Sequence, residues 1–176
     1  MTKFILAAFL LCLLPLSSAR ADVDLSKPLD LKFTAVDGRA VDLSKLRGKV
    51  VLIDFWATWC PPCVAISPDI SRLYNKYHSK GLEVLSISAD SDKSALLDFI
   101  KKEGAKWPQY FSDSGDTSIF ENFGINEFPT IWLVDKKGVI ANANFRDLWV
   151  ADGGIEISGD TQAKVDAAVE KQLKAL

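Results

Sequence analysis

One apolar, β-branched run, Val50-Val51-Leu52-Ile53, continues through Asp54-Phe55-Trp56 and lacks the alternation of a half-exposed strand. That pattern predicts a central strand covered on both faces. After it, Val64, Ile66, Ile70, Leu73, Tyr74 and Tyr77 recur at helical spacing and predict a helix over 62–78. Pro68 should kink that helix, because it has no N–H to donate, and Gly81 should stop it. Residues 82–88 (LEVLSIS) alternate and predict a second central strand. Strand, helix and strand in this order imply a right-handed parallel crossover.

Outside this unit the signals are shorter. Residues 31–35 and 39–43 flank Asp37-Gly38, a tight-turn dipeptide, and predict an N-terminal β-hairpin. A second helix is expected over 91–102, capped by Asp90 and Ser91 and buried through Leu96, Leu97, Phe99 and Ile100. A short strand over 107–111 and a short helix over 117–123 follow. Residues 130–134 and 139–145 flank the turn Asp135-Lys136-Lys137-Gly138 and predict an antiparallel hairpin. The chain closes with an amphipathic helix over 162–176, apolar at Val165, Ala168, Val169 and Leu173. Residues 146–161 match no pattern, and no repeat or linker suggests a second domain.

Composition changes the picture at the N-terminus. Lys3, the 11-residue apolar run from Phe4 to Leu14 and the small-x-small site Ala19-Arg20-Ala21 read as a secretory signal peptide over 1–21. The alternative is a membrane anchor over 4–16, against which stand Pro15 and the roughly 20 apolar residues that a bilayer span needs. Residues 22–176 are then one α/β domain, consistent with 176 residues at 48% apolar composition. Loss of Lys3 and Arg20 with residues 1–21 takes the net charge from −2 to −4, and the basic clusters that remain, Lys45/Arg47/Lys49, Lys101/Lys102 and Lys136/Lys137, are short and scattered. Nothing there attracts nucleic acid.

The cysteines carry the chemistry. Without Cys12, only Cys60 and Cys63 remain, two residues apart where the central strand turns into a helix. A C-x-x-C pair at a helix N-terminus reads as a redox dithiol, because the helix favours a thiolate on the first sulfur. The competing readings are two buried apolar residues or half of a zinc site, and zinc would need two further ligands that no second C-x-x-C or His pair supplies. His78 lies 15 residues beyond Cys63 on the same helix, roughly 22 Å away, too far to act as a base for Cys60.

The decapeptide from Asp54 to Cys63, DFWATWCPPC, resembles the active-site segment of the thioredoxin superfamily, and Pro68 stands where that family's helix carries its kink. Phe128-Pro129-Thr130 resembles the family's cis-proline loop. The extra helical and strand segment over 91–123, the N-terminal hairpin and the signal peptide are similar to the TlpA/ResA-like exported thiol-disulfide oxidoreductases. The resemblance implies a thioredoxin fold with an N-terminal β-hairpin and a central helix/strand insertion. It implies no cofactor beyond a redox-active Cys60–Cys63 disulfide and no bound metal. It also implies exported, disulfide-containing partner proteins, electrons from a membrane partner, a periplasmic location and, as one setting, cytochrome c maturation.

Within that pattern Cys60 is the expected nucleophile and Cys63 the resolving thiol. A free thiol pKa of about 8.5 falls to about 7 in such motifs. Pro61 and Pro62 withhold two backbone donors, which favours a reductase or isomerase over a strong oxidant. Asp54 occupies the family's buried-carboxylate position, where desolvation raises its pKa and lets it exchange a proton with Cys63 through water. No lysine in 82–88 pairs with it, a departure from thioredoxin, and the alternative is an exposed aspartate ending the strand. Pro129 is expected opposite the dithiol, offering backbone to an incoming peptide, unless it merely starts a strand. Trp59, Pro61, Pro62, Phe128 and Thr130 are the expected substrate contacts, and Trp56 is read as mostly structural. Two other functions stay open: a thiol peroxidase, and a non-catalytic holder of a metal or an apoprotein.

Overall fold

A computed structural model describes residues 24, 26–151 and 153–175; the expected signal peptide over 1–21 lies outside the described residues. In chain order the elements are β1 (Lys32–Thr34), β2 (Ala40–Asp42), β3 (Val50–Trp56), α1 (Pro61–Tyr77), β4 (Leu82–Ser88), α2 (Lys93–Glu103), β5 (Gln109–Tyr110), α3 (Ser118–Asn122), β6 (Thr130–Val134), β7 (Ile140–Asn142), β8 (Val150–Ala151), β9 (Gly154–Ile155) and α4 (Gly159–Lys174). The central sheet runs β5-β4-β3-β6-β7. β3, β4 and β5 are parallel, β6 runs antiparallel to β3, and β7 runs antiparallel to β6.

The centre of this sheet is where the apolar run predicts it: all seven residues of β3 are buried. Because successive side chains alternate between faces, Val50 and Leu52 pack against Ile66, Ile70 and Leu73 of α1 and Val165 and Val169 of α4. Val51, Ile53 and Phe55 point the other way, toward Leu31, Val41 and Leu43 around the β1–β2 hairpin and Phe120 of α3. Val36 N–H donates to Gln109 O at 2.9 Å and ties that hairpin to the end of β5. The turn before β7 closes at Gly138, whose φ of 83° favours glycine and whose added Cβ would lie 2.0 Å from the Arg47 guanidinium.

Three expectations need correction. The second helix begins at Lys93, capped by Asp92 rather than by Asp90 and Ser91; Asp92 Oδ1 accepts from Ser94 and Ala95 N–H. Asp90 has the same capping chemistry but is buried, committed to the loop before Cys60. Leu97, expected in the core, is exposed, since α2 turns Leu96 inward instead. The strand expected over 139–145 ends at Asn142, and Phe145 enters a 3-10 turn that runs to Trp149.

Residues 146–161, which carry no sequence pattern, complete the core. Trp149 is fully buried and its Nε1–H donates to Asp69 Oδ2 at 2.7 Å. Asp69, itself buried in α1, also accepts from Arg72 and, at 3.1 Å, from Gln162 Nε2 of α4. Three elements thus meet at one carboxylate, whose ionised form these donors satisfy. Trp149→Phe is expected to lower unfolding stability by about 1.5–3 kcal/mol for the lost bond to a charged group, before any cavity cost. Urea denaturation checks it; an unchanged midpoint would show that the bond contributes nothing net.

Among the described residues, no helix is long and apolar enough to cross a membrane.

Candidate active site

β3 ends at Trp56 and the chain turns through Ala57, Thr58 and Trp59 into α1, whose N-cap is Cys60. Asp90 holds this turn from the end of β4: both of its carboxylate oxygens lie 3.1 Å from Thr58 N, and it accepts from Thr58 Oγ1 and Ser88 Oγ, each at 2.6 Å. Nothing in the sequence distinguished this clamp from a helix cap, because the same residue types serve both.

Cys60 and Cys63 are joined in a disulfide, with Cα atoms 5.3 Å apart, within the usual span for such a bond. Pro61 and Pro62 fill the first two helical positions and have no N–H, so the Cys63 N–H is the donor that reaches Cys60 Sγ, at 3.3 Å. α1 runs 17 residues behind this sulfur, so its N-terminal dipole favours a thiolate there once the disulfide is reduced. His78 sits beyond the opposite end of α1, stacked on Tyr74, and no imidazole reaches the sulfurs.

The register of the sheet builds the other side of the site. Asp54 on β3 is opposite Ser86 on β4, and Ser86 is opposite Gln109 on β5. Residues paired across strands share a face, so the three form one polar row among apolar neighbours. Ser86 Oγ donates to Asp54 Oδ2 at 3.3 Å and accepts from Trp107 Nε1 at 2.8 Å. Asp54 is buried, as its position in the strand implies, and among the described residues no lysine pairs with it. Burial pushes its carboxyl up to about 7, with the Ser86 hydrogen bond pulling only weakly the other way. A cavity of about 10 Å³ lies against this row, lined also by Trp56 at the end of β3 and by Cys63 and Ser67 of α1. Cys63 is therefore the sulfur on the carboxyl side.

Across the rim, Thr130 pairs with Phe55, which brings the loop before β6 to the same sheet end as the loop after β3. The Phe128–Pro129 peptide there is cis. Phe128 packs against the cluster that contains both cysteines, and its ring lies 5.9 Å, edge-on, from Trp59. Trp59 is 62% exposed, whereas Trp56 is buried against Phe99. Thr130 Oγ1 donates to Glu127 O at 2.8 Å and braces the proline loop. An open groove of about 410 Å³ continues from Phe128 past Phe120 and Ile125, with Asp116 and Glu121 on its rim. Ser86, Asp90 and Gln109 are the site residues that sequence reasoning missed. The alternation of 82–88 put Ser86 on the buried face of its strand, but its partner depends on register.

The Redoxin family profile matches residues 21–147, which span the hairpin, the dithiol and the proline loop. A thiol-disulfide oxidoreductase ResA from Bacillus thuringiensis is 36% identical over 107 residues, 61% of this chain and 61% of that protein. The Bacillus subtilis protein of the same name is 29% identical over 104 residues, 59% of this chain and 57% of that one. The matched region thus covers less than two thirds of these relatives' lengths. Among solved structures, the thioredoxin domain of a thiol-disulfide oxidoreductase from Bacteroides vulgatus superposes with a TM-score of 0.65 at 26% identity, covering 85% of this chain and 96% of that one. A thioredoxin family protein from Chlorobium tepidum reaches 0.68 at 23% identity, over 87% and 99% of the two chains. The mixed α/β architecture is the thioredoxin fold that the DFWATWCPPC segment implies.

Proposed function

Since the chain belongs to the Redoxin family, we propose that it is a thiol-disulfide oxidoreductase that reduces disulfides of exported partner proteins through Cys60 and Cys63. The observation that carries this reading is the pairing of a helix-capping Cys60 with a Cys63 that shares a cavity wall with a buried carboxyl. A partner strand lies along the Pro129 loop, with its disulfide presented to Cys60 and its apolar side chains on Trp59 and Phe128. Pro61, Pro62 and Thr130 complete that contact surface. The Cys60 thiolate attacks one partner sulfur, forming a mixed disulfide and expelling a partner thiolate. Cys63 then gives up its proton toward Asp54 and attacks Cys60 Sγ. The Cys60–Cys63 bond forms, the mixed disulfide breaks, and the second partner thiolate leaves. Two electrons pass from the dithiol to the partner, whose two sulfurs end as thiols.

Residues 1–21 direct export to the periplasm in this reading, a membrane electron-transfer partner re-reduces the disulfide, and cytochrome c maturation is the setting that the family resemblance implies. No cofactor besides the dithiol is invoked.

The test is insulin-disulfide reduction with dithiothreitol as electron source. The protein is expected to accelerate it, and Cys60→Ser to return it to the background rate. Equal rates with and without the protein, or rapid peroxide consumption retained by Cys63→Ala, would contradict the proposal, the latter in favour of a thiol peroxidase.

A further inference from the structure

Two buried polar atoms without a hydrogen-bond partner among the described residues belong to side chains that line one cavity: Trp56 Nε1, a donor, and Gln109 Oε1, an acceptor. Their residues are 4% and 3% exposed, so bulk water does not satisfy them. An orphaned buried polar atom is costly, and one such atom on each of two side chains lining the same cavity calls for a shared partner. The cavity that both residues line, about 10 Å³, has room for about one water molecule. Among the described residues, Asp54 and Cys63 are the only titratable side chains in its wall.

We propose that Trp56 and Gln109 are positioning residues that hold a single water molecule between Cys63 and Asp54 and fix the direction in which it passes a proton. A water molecule has two lone pairs and two hydrogens. The Trp56 N–H fills one lone pair and Gln109 Oε1 takes one hydrogen. One lone pair is left for the Cys63 thiol and one hydrogen for the Asp54 carboxylate. When Cys63 attacks the mixed disulfide, its proton moves to the water oxygen while the opposite hydrogen moves to Asp54, and the water is regenerated. In the reverse direction the same bonds return the proton to Cys63. Ser86, held by Trp107, fixes the Asp54 oxygen that faces it. This inference rests on the dithiol function proposed above.

The experiment mixes fully reduced protein with the chromogenic disulfide dithio-bis-nitrobenzoate and follows release of the coloured thiolate. The first phase reports Cys60 attack and the second reports resolution by Cys63. Gln109→Met is expected to lower the ratio of second-phase to first-phase rate about tenfold at pH 7, a part of what general acid–base catalysis supplies. Trp56→Phe, which keeps a ring and removes the N–H, should lower it in the same direction, and it carries the test if Gln109→Met does not fold. Near pH 10, where a thiol ionises without help, both variants should converge on the parent. An unchanged ratio at pH 7, or an equal fall at pH 7 and pH 10, would overturn the inference, the second because it reports a displaced Cys63. Asp54→Asn separates the layers. If it too leaves the ratio unchanged, proton transfer through Asp54 fails and the inference with it; if it alone lowers the ratio, only the water-holding pair fails.

Discussion

Asp54→Asn is expected to slow the second step of exchange, release of the partner by Cys63, by about 100-fold at pH 7. A carboxyl that titrates near 7 is half ionised there, so it takes a proton from the Cys63 thiol and returns it to a leaving thiolate with little driving force lost either way. Asparagine keeps the shape and can still accept from Ser86, but it carries no exchangeable acid proton. Stability should move the other way. The carboxyl binds its proton more tightly when folded, near 7, than when unfolded, near 3.8. Its contribution is therefore fully present below pH 3.8 and is lost as pH rises through 7. Between pH 5 and pH 8 the protein should lose about 2–3 kcal/mol from this group, at 1.36 kcal/mol per pKa unit. Asp54→Asn should lack that loss, so the variant gains on the parent as pH rises. Urea denaturation of the disulfide form across this range measures it, and parallel curves for the two proteins would show that Asp54 titrates as an ordinary carboxylate.

Cys63→Ala should halt the reaction at its midpoint. Cys60 remains at the N-terminus of α1 with the Cys63 backbone N–H still available to it, since the substitution changes only the side chain. Attack on a partner disulfide proceeds, but no second thiol is present to break the mixed disulfide, so turnover stops after one event and the adduct persists until external thiol is added. Cys60→Ala should form no adduct, because Cys63 lines the inner cavity beside Asp54, whereas Cys60 caps α1 on the other side of the disulfide. Non-reducing electrophoresis of Cys63→Ala with exported proteins displays these adducts directly. Adducts of equal yield from Cys60→Ala would contradict the division of labour between the two sulfurs.

Cys60, Cys63 and Asp54 lie within ten residues of one another on a strand, a turn and a helix whose periods are strong, so local pattern alone places them together. Pro129 was placed by resemblance, and the register of β6 against β3 gives the physical reason: Thr130 pairs with Phe55 and brings the proline loop to the dithiol end of the sheet. Ser86 and Gln109 were not legible as site residues, because a serine in an alternating strand and a glutamine in a two-residue edge strand acquire a role only when the strands align. Asp90 was misread because an aspartate before a helix looks the same whether it caps that helix or clamps a distant loop. Trp149 was invisible for a similar reason, its partner Asp69 lying 80 residues earlier in the chain.

A two-electron exchange between the Cys60/Cys63 pair and a partner disulfide changes the mass of both molecules, so mass spectrometry follows it. Fully reduced protein is mixed with one equivalent of a disulfide-bonded peptide and quenched with acid. The protein is expected to lose two hydrogens, mapped to a Cys60–Cys63 bond, while the peptide gains two, with no adduct left at completion. A peptide that keeps its disulfide while the protein keeps both thiols would contradict it.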